Sequence, residues 1–215
     1  MITPDKRVRA AESSGQSSKL HGEFRLGLTS GLVTVAAAAT ATAGHMFAMR
    51  NPSTTTKINL RYLAGSFITS TGFGALQPMG YDLIVGRTWT AAYTGGTAID
   101  VGSTVTTTNK VRVNQDTSII TANNCRMCTT AGLTAGGTPT LDANPVAVKF
   151  GLGSTAIGVQ FDFTLWDARD DQAQHCRSPL TLGPDEGIFV RNVILMGATG
   201  VGYLSLNLEW DEVTV

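Results

Sequence analysis

Between Leu204 and Trp210 the chain alternates without a break. Leu204, Leu206, Leu208 and Trp210 are apolar, and Ser205, Asn207 and Glu209 between them are polar. A period of two places the apolar set on one face of a strand and the polar set on the other, as in a sheet with one buried and one wetted side. Upstream, Ile188, Val190, Val193, Ile194 and Leu195 form an apolar run interrupted by Arg191 and Asn192, and Gly197-Ala198-Thr199-Gly200-Val201-Gly202 supplies turn residues. Gly187 to Val215 is therefore expected to form a closing β-hairpin.

The same period recurs upstream. Ile58, Leu60 and Tyr62 share a face and run on to Phe67 and Ile68. Val159, Phe161, Phe163 and Leu165 alternate with Gln160, Asp162 and Thr164. Shorter strand signals lie at Gly31–Val35, His45–Met49, Tyr81–Trp89, Ser118–Ile120, Cys125–Cys128 and Pro179–Leu182, with Thr130 to Pro145 expected to be loop. No window sustains an apolar stripe of period 3.6. With 24 glycines and only 15% charged residues, the composition favours turns and strands over helices. The expected fold is all-β, an antiparallel sandwich or jelly roll, with residues 25–215 as one domain.

Residues 1–24 are expected to be an extended N-terminal arm. Ala10 to Ser18 is small and polar, and Lys6, Arg7, Arg9 and Lys19 surround it without a periodic apolar face. Such a segment buries too little to offset its ordering entropy alone, so it either solvates the body or orders against a partner. In the second case Lys6, Arg7, Arg9 and Lys19 are the partner-binding residues, directed at acidic patches.

Acidic and basic side chains balance at 16 each, so the whole chain carries no electrostatic signature of nucleic-acid or membrane binding. Little self-repulsion then opposes assembly with other protein. The run Leu26 to Met49 is too diluted with Gly, Ala, Ser and Thr for a membrane span, and reads as a strand leading into a small-residue loop. Met1 to Arg7 lacks the apolar core of a signal peptide, and three cysteines make no disulfide framework, so synthesis in a reducing cytoplasm is expected.

Few constellations have residue types suited to chemistry. Cys125-x-x-Cys128 with His175-Cys176 resembles half of a zinc site. The adjacent His175 and Cys176 would point to opposite faces of a strand, so ordinary thiols are expected instead. Asp167, Arg169, Asp170 and Asp171 form one polar loop and Asp185-Glu186 another carboxylate pair; solvated loop charge is the commoner meaning of both. Gly95-Gly96 and Gly136-Gly137 open no helix and so do not read as phosphate loops. Trp89 to Tyr93 is the one loop that could display two aromatics, although core packing suits them better. No catalytic residue, cofactor or metal site is expected, and the chain is not read as an enzyme.

Taken together, Met46-Phe47-Ala48-Met49-Arg50-Asn51-Pro52, Gly80-Tyr81-Asp82-Leu83 with Arg87-Thr88-Trp89-Thr90, Gly95-Gly96-Thr97-Ala98, Leu141-Asp142-Ala143-Asn144-Pro145 and Glu186 to Asn192 carry a resemblance. With the closing Leu206 to Val213 strand they resemble small β-rich virion proteins of tailed bacteriophages, among them capsid decoration (cement) and appendage proteins. The resemblance spans roughly residues 44 to 215 and brings no catalytic or ligand residue with it. It implies a jelly-roll-like β-sandwich on the capsid surface of a virion, often a homotrimer, whose partners are the major capsid protein or other virion proteins. The alternative is a tail or fibre-tip subunit that binds a host-surface receptor.

Overall fold

The strands follow in chain order as β1 (Lys19–Thr29), β2 (Val33–Thr34), β3 (His45–Arg50), β4 (Thr56–Thr71), β5 (Gln77–Arg87), β6 (Thr97–Ala98) and β7 (Lys110–Arg112). They continue as β8 (Cys125–Met127), β9 (Thr140–Leu141), β10 (Ala147–Gly153), β11 (Gln160–Asp167), β12 (Leu180–Leu182), β13 (Gly187–Asn192) and β14 (Val201–Thr214). The computed structural model describes residues 19–34, 44–99, 101, 110–112, 118–130, 132–133, 137–169, 178–194 and 200–214. Among these residues the only helical element with assigned bounds is a single 3-10 turn, Ala122–Asn124.

Two antiparallel sheets face each other. Sheet A runs β11-β4-β14-β1-β7, with β12 also on β4 and β2 on β14; sheet B runs β10-β5-β13-β3-β8-β6, with β9 also on β5. The last strand, β14, lies between β1 and β4, and β13 lies between β3 and β5. This nesting of late strands between early ones is compatible with a jelly roll.

The hairpin expected from Gly187 to Val215 does not form. β13 belongs to sheet B and β14 to sheet A, so the segment joining them crosses between sheets. The sequence already differs between the two strands. β14 alternates because its outer face is wet, with Leu204, Leu206, Leu208 and Trp210 buried between partly exposed polar residues. In β13, Ile188, Phe189 and Val190 are all fully buried. Ile188 and Val190 lie opposite Val85 and Leu83. Phe189, on the other face, packs on Trp89, Tyr93 and His45 at centroid distances of 4.5, 5.1 and 4.9 Å. Around β13, sheet B is thus covered on both faces, by sheet A and by a layer of loops, and a strand buried on both faces loses its alternation. Trp89 and Tyr93 belong to this layer and are not displayed.

Residues 19–24, expected to belong to the arm, are the start of a strand. β1 starts at Lys19, and its Phe24, Leu26 and Leu28 point into the core while Glu23 and Arg25 face outward. Residues 19–24 therefore belong to the domain. A segment that looks isolated in sequence is completed by β14, which supplies ten register partners from Lys19↔Thr214 to Thr29↔Ser205.

Register defines two ends of the sandwich. Lys19, Thr56 and Thr214 lie together at one end, with the Arg50, Arg87 and Gly187 termini of β3, β5 and β13. At the other, Thr71 meets Val201 and Thr34, Gly153 meets Gln77, and Gln160 meets Ile68.

Candidate functional site

The two ends differ in chemistry. At the first, loop charges satisfy one another. Arg50, almost buried, donates to the Trp89 carbonyl, to Asn124 Oδ1 at 3.1 Å and to Asp185 Oδ1 at 2.6 Å. Arg87 grips Asp142 through Nε at 2.6 Å and a terminal nitrogen at 2.9 Å, and donates its other terminal nitrogen to Glu186. The Arg87 hydrogen bond holds the Asp142 carboxyl below its ordinary pKa. Asn51, fully buried, ties the loops beneath: Nδ2 faces the Thr56, Leu182 and Gly183 carbonyls at 2.8, 3.1 and 3.0 Å, and Oδ1 accepts from Ser53 N–H at 3.0 Å. Thr88 and Asp185 sit here at φ of 52° and 53°, in the left-handed region that a β-branched threonine adopts only under constraint. This is the ionic end.

At the opposite end apolar side chains stand in solvent. Leu76, Phe150, Leu152 and Ile157 are 65 to 72% exposed. Ile68, Val159 and Tyr203 are exposed by about two-fifths, and Ile68 and Tyr203 are cross-strand neighbours. The turn after β10 is held firmly: Phe73 N–H donates to the Ser154 carbonyl at 2.9 Å, Gly158 N–H to that of Thr69 at 2.7 Å, and Thr69 N–H to that of Val159 at 3.0 Å. Gly158, at φ 77° with open space where a Cβ would stand, forms its tip. Several exposed apolar groups on a fixed backbone are unusual for a free surface and typical of an interaction site. This is the apolar end.

β10 is the element that the sequence pattern hides. Val148, Phe150 and Leu152 do alternate with Lys149, Gly151 and Gly153, but in the inverted sense, with the apolar set facing out. A Cβ on Gly151 would meet the Phe161 ring at 2.5 Å, so glycine lets this edge strand lie close on β11. Phe150 lies over Gly80 on the outer face of sheet B.

Of the expected partner-binding residues, Lys6, Arg7 and Arg9 lie outside the described residues, and Lys19 opens β1 at the ionic end. Cys125 and Cys128 are buried free thiols. Burial pushes the Cys125 thiol well above its ordinary pKa and the Cys128 thiol up to about 12. His175 and Cys176 lie outside the described residues, as do Asp170 and Asp171. Arg169 pairs with Asp167 at 3.1 Å and Glu209 at 3.5 Å while covering the Tyr62 ring at 3.4 Å. Asp185 and Glu186 are the ion-pair partners of Arg50 and Arg87, 135 and 99 residues away in sequence. Gly95 and Gly96, at φ of 74° and 58°, make a tight turn, with Gly96 close against the Met127 carbonyl.

Among the concavities on the outer face of sheet A is a trough of about 450 Å3 bordered by Tyr62, Ser66, Asp162, Thr164 and Asn207 and floored by small residues. The half-buried Tyr62 at its border is capped by Arg169, which removes the bare ring face that sugars and bases stack on. No helix among the described residues is long and apolar enough to cross a membrane. Comparison with known proteins finds no matching family model, no similar curated protein and no matching solved structure.

Proposed function

We propose that this chain is a structural protein of a bacteriophage virion, a capsid decoration (cement) protein that acts by binding across capsid subunits and not by catalysis. The observation that carries the proposal is the apolar end, where exposed side chains rest on a hydrogen-bonded backbone while the ionic end is internally paired. A decoration protein needs complementary area, typically above about 1,000 Å2 per specific contact, and no reactive group. The resemblance of scattered sequence phrases to phage virion proteins gives the proposal its setting, and the β-sandwich, compatible with a jelly roll, supports it only by analogy, since such folds serve many functions.

The second reading, a tail or fibre-tip subunit that binds a host-surface receptor, draws on the trough of sheet A. Copy number separates the two. Quantitative gel analysis of purified particles should give hundreds of copies per particle for a decoration protein and about a dozen for a tail subunit. Absence from purified particles would overturn both.

A further inference from the structure

We propose that the β10 edge is a self-association site at which two copies of this chain pair their β10 strands about a two-fold axis, with Phe150 of one copy opposite Phe150 of the other. It rests on the reading of the apolar end as an assembly surface and names the occupant of its β10 side.

Three features point to a second copy. First, β10 is the edge of sheet B, paired with β5 alone among the described strands, and of the usual protections of an exposed edge it carries only a single charge. It contains no proline and no bulge, and one charge, Lys149, in seven residues. Secondly, its exposed face is apolar. Val148, Phe150 and Leu152 project together, and exposed Leu76 immediately precedes β5, the strand that pairs with β10. Phe150 alone offers on the order of 100–160 Å2, and the group together reaches the several hundred Å2 at which an apolar patch marks a contact. Pairing sets the two patches side by side on one face of a continuous sheet, where directly opposed apolar side chains cover one another with Cβ atoms about 4.5–5.5 Å apart.

Thirdly, the strand is self-complementary in one register. A two-fold axis makes an isologous contact, in which antiparallel pairing of identical strands comes without further design. Centred on Phe150, it pairs all seven residues: Phe150 with itself, Val148 with Leu152, Lys149 with Gly151 and Ala147 with Gly153. Val148, Phe150 and Leu152 then each meet an apolar side chain, and each lysine lies beside a glycine. Centring on Lys149 would place two like charges opposite each other, and centring on Gly151 would leave Ala147 and Val148 unpaired within the strand.

The register makes the test specific. Directly opposed residues have Cα atoms about 4.5–5.5 Å apart, within disulfide reach. Two Lys149 positions would lie about 8 Å apart, from two residues of rise and one strand spacing, which is beyond it. In the full chain with Cys176→Ser, mild oxidation should convert Phe150→Cys, but not Lys149→Cys, to a covalent dimer. Sedimentation of the unmodified chain up to about 200 µM should show a species of twice 22.6 kDa. Phe150→Asp, with Leu152→Asp as a second variant, should raise the concentration for half-association at least about tenfold while leaving far-UV circular dichroism unchanged. A monomer or trimer throughout, no cross-link at Phe150→Cys, or equal cross-linking at Lys149→Cys would overturn the inference. These readings use isolated protein, so they fail or succeed independently of the particle copy number that tests the proposed function.

Discussion

Phe24 of β1 lies directly opposite Trp210 of β14, their rings stacked with centroids 5.5 Å apart and 23° between planes. Both side chains are buried, so the pair fastens the first described strand to the last across the inner face of sheet A. Deleting residues 2–18 should leave the thermal midpoint within about 2 °C, because the pairing from Lys19↔Thr214 onward survives. Deleting residues 2–24 removes Phe24 and half of β1, and should abolish cooperative unfolding. Trp210→Ala should cost about 3–5 kcal/mol in urea denaturation. A fully stable 2–24 deletion would show that β1 is dispensable.

Asn51 joins four backbone groups of two loops from a fully buried position. Asn51→Ala should destabilise the chain by about 2–3 kcal/mol, since carbonyls that lose their donor stay buried. Asn51→Asp should be worse, because it turns a carboxylate toward those carbonyls. Urea midpoints of the two variants check both the size and the order.

His45 is buried against Tyr93 and Phe189, with Nδ1 2.8 Å from the Tyr93 hydroxyl. Burial, then the nearby Arg191 charge, lowers its pKa from 6.5 to about 4. The unfolded chain therefore takes up a proton between pH 6.5 and about 4 that the folded chain refuses. Stability from this site is full above pH 6.5 and falls as pH drops, by about 3 kcal/mol in all. Asp211, whose carboxyl is raised chiefly by burial, acts in the opposite sense. The difference between the unmodified chain and His45→Gln isolates the histidine: His45→Gln should start less stable at pH 7 and lose less on going to pH 4.5. Parallel slopes would refute the assignment.

The Cys125 and Cys128 thiols are buried and held protonated far above neutral pH. A thiolate-directed reagent at pH 8 should modify neither in the native chain and both after denaturation, as read by peptide mass analysis. Native labelling of either would mean that the loops over sheet B open readily.

The alternation of β14 and β4 was legible in the residues because each has one wet face, and a wet face writes itself into sequence as polar residues at every second position. The all-β class followed from that pattern and from the absence of any helical stripe. The sequence alone did not decide which sheet a strand joins. β13 carries no alternation because loops bring Trp89 and Tyr93 over its second face, so its separation from β14 was invisible. That residues 19–24 join a sheet was invisible because the partner of β1 lies at the other end of the chain. The ionic end joins Arg50 to Asp185 and Arg87 to Glu186 through side chains that no local spacing relates. β10 shows the limit most plainly. Its alternation exists in the sequence, but whether Phe150 points inward or outward depends on how Gly151 seats the strand against Phe161, and only tertiary packing decides that. Period is a local property of the backbone and can be read from residues, whereas the side on which a face is buried is a property of what packs against it.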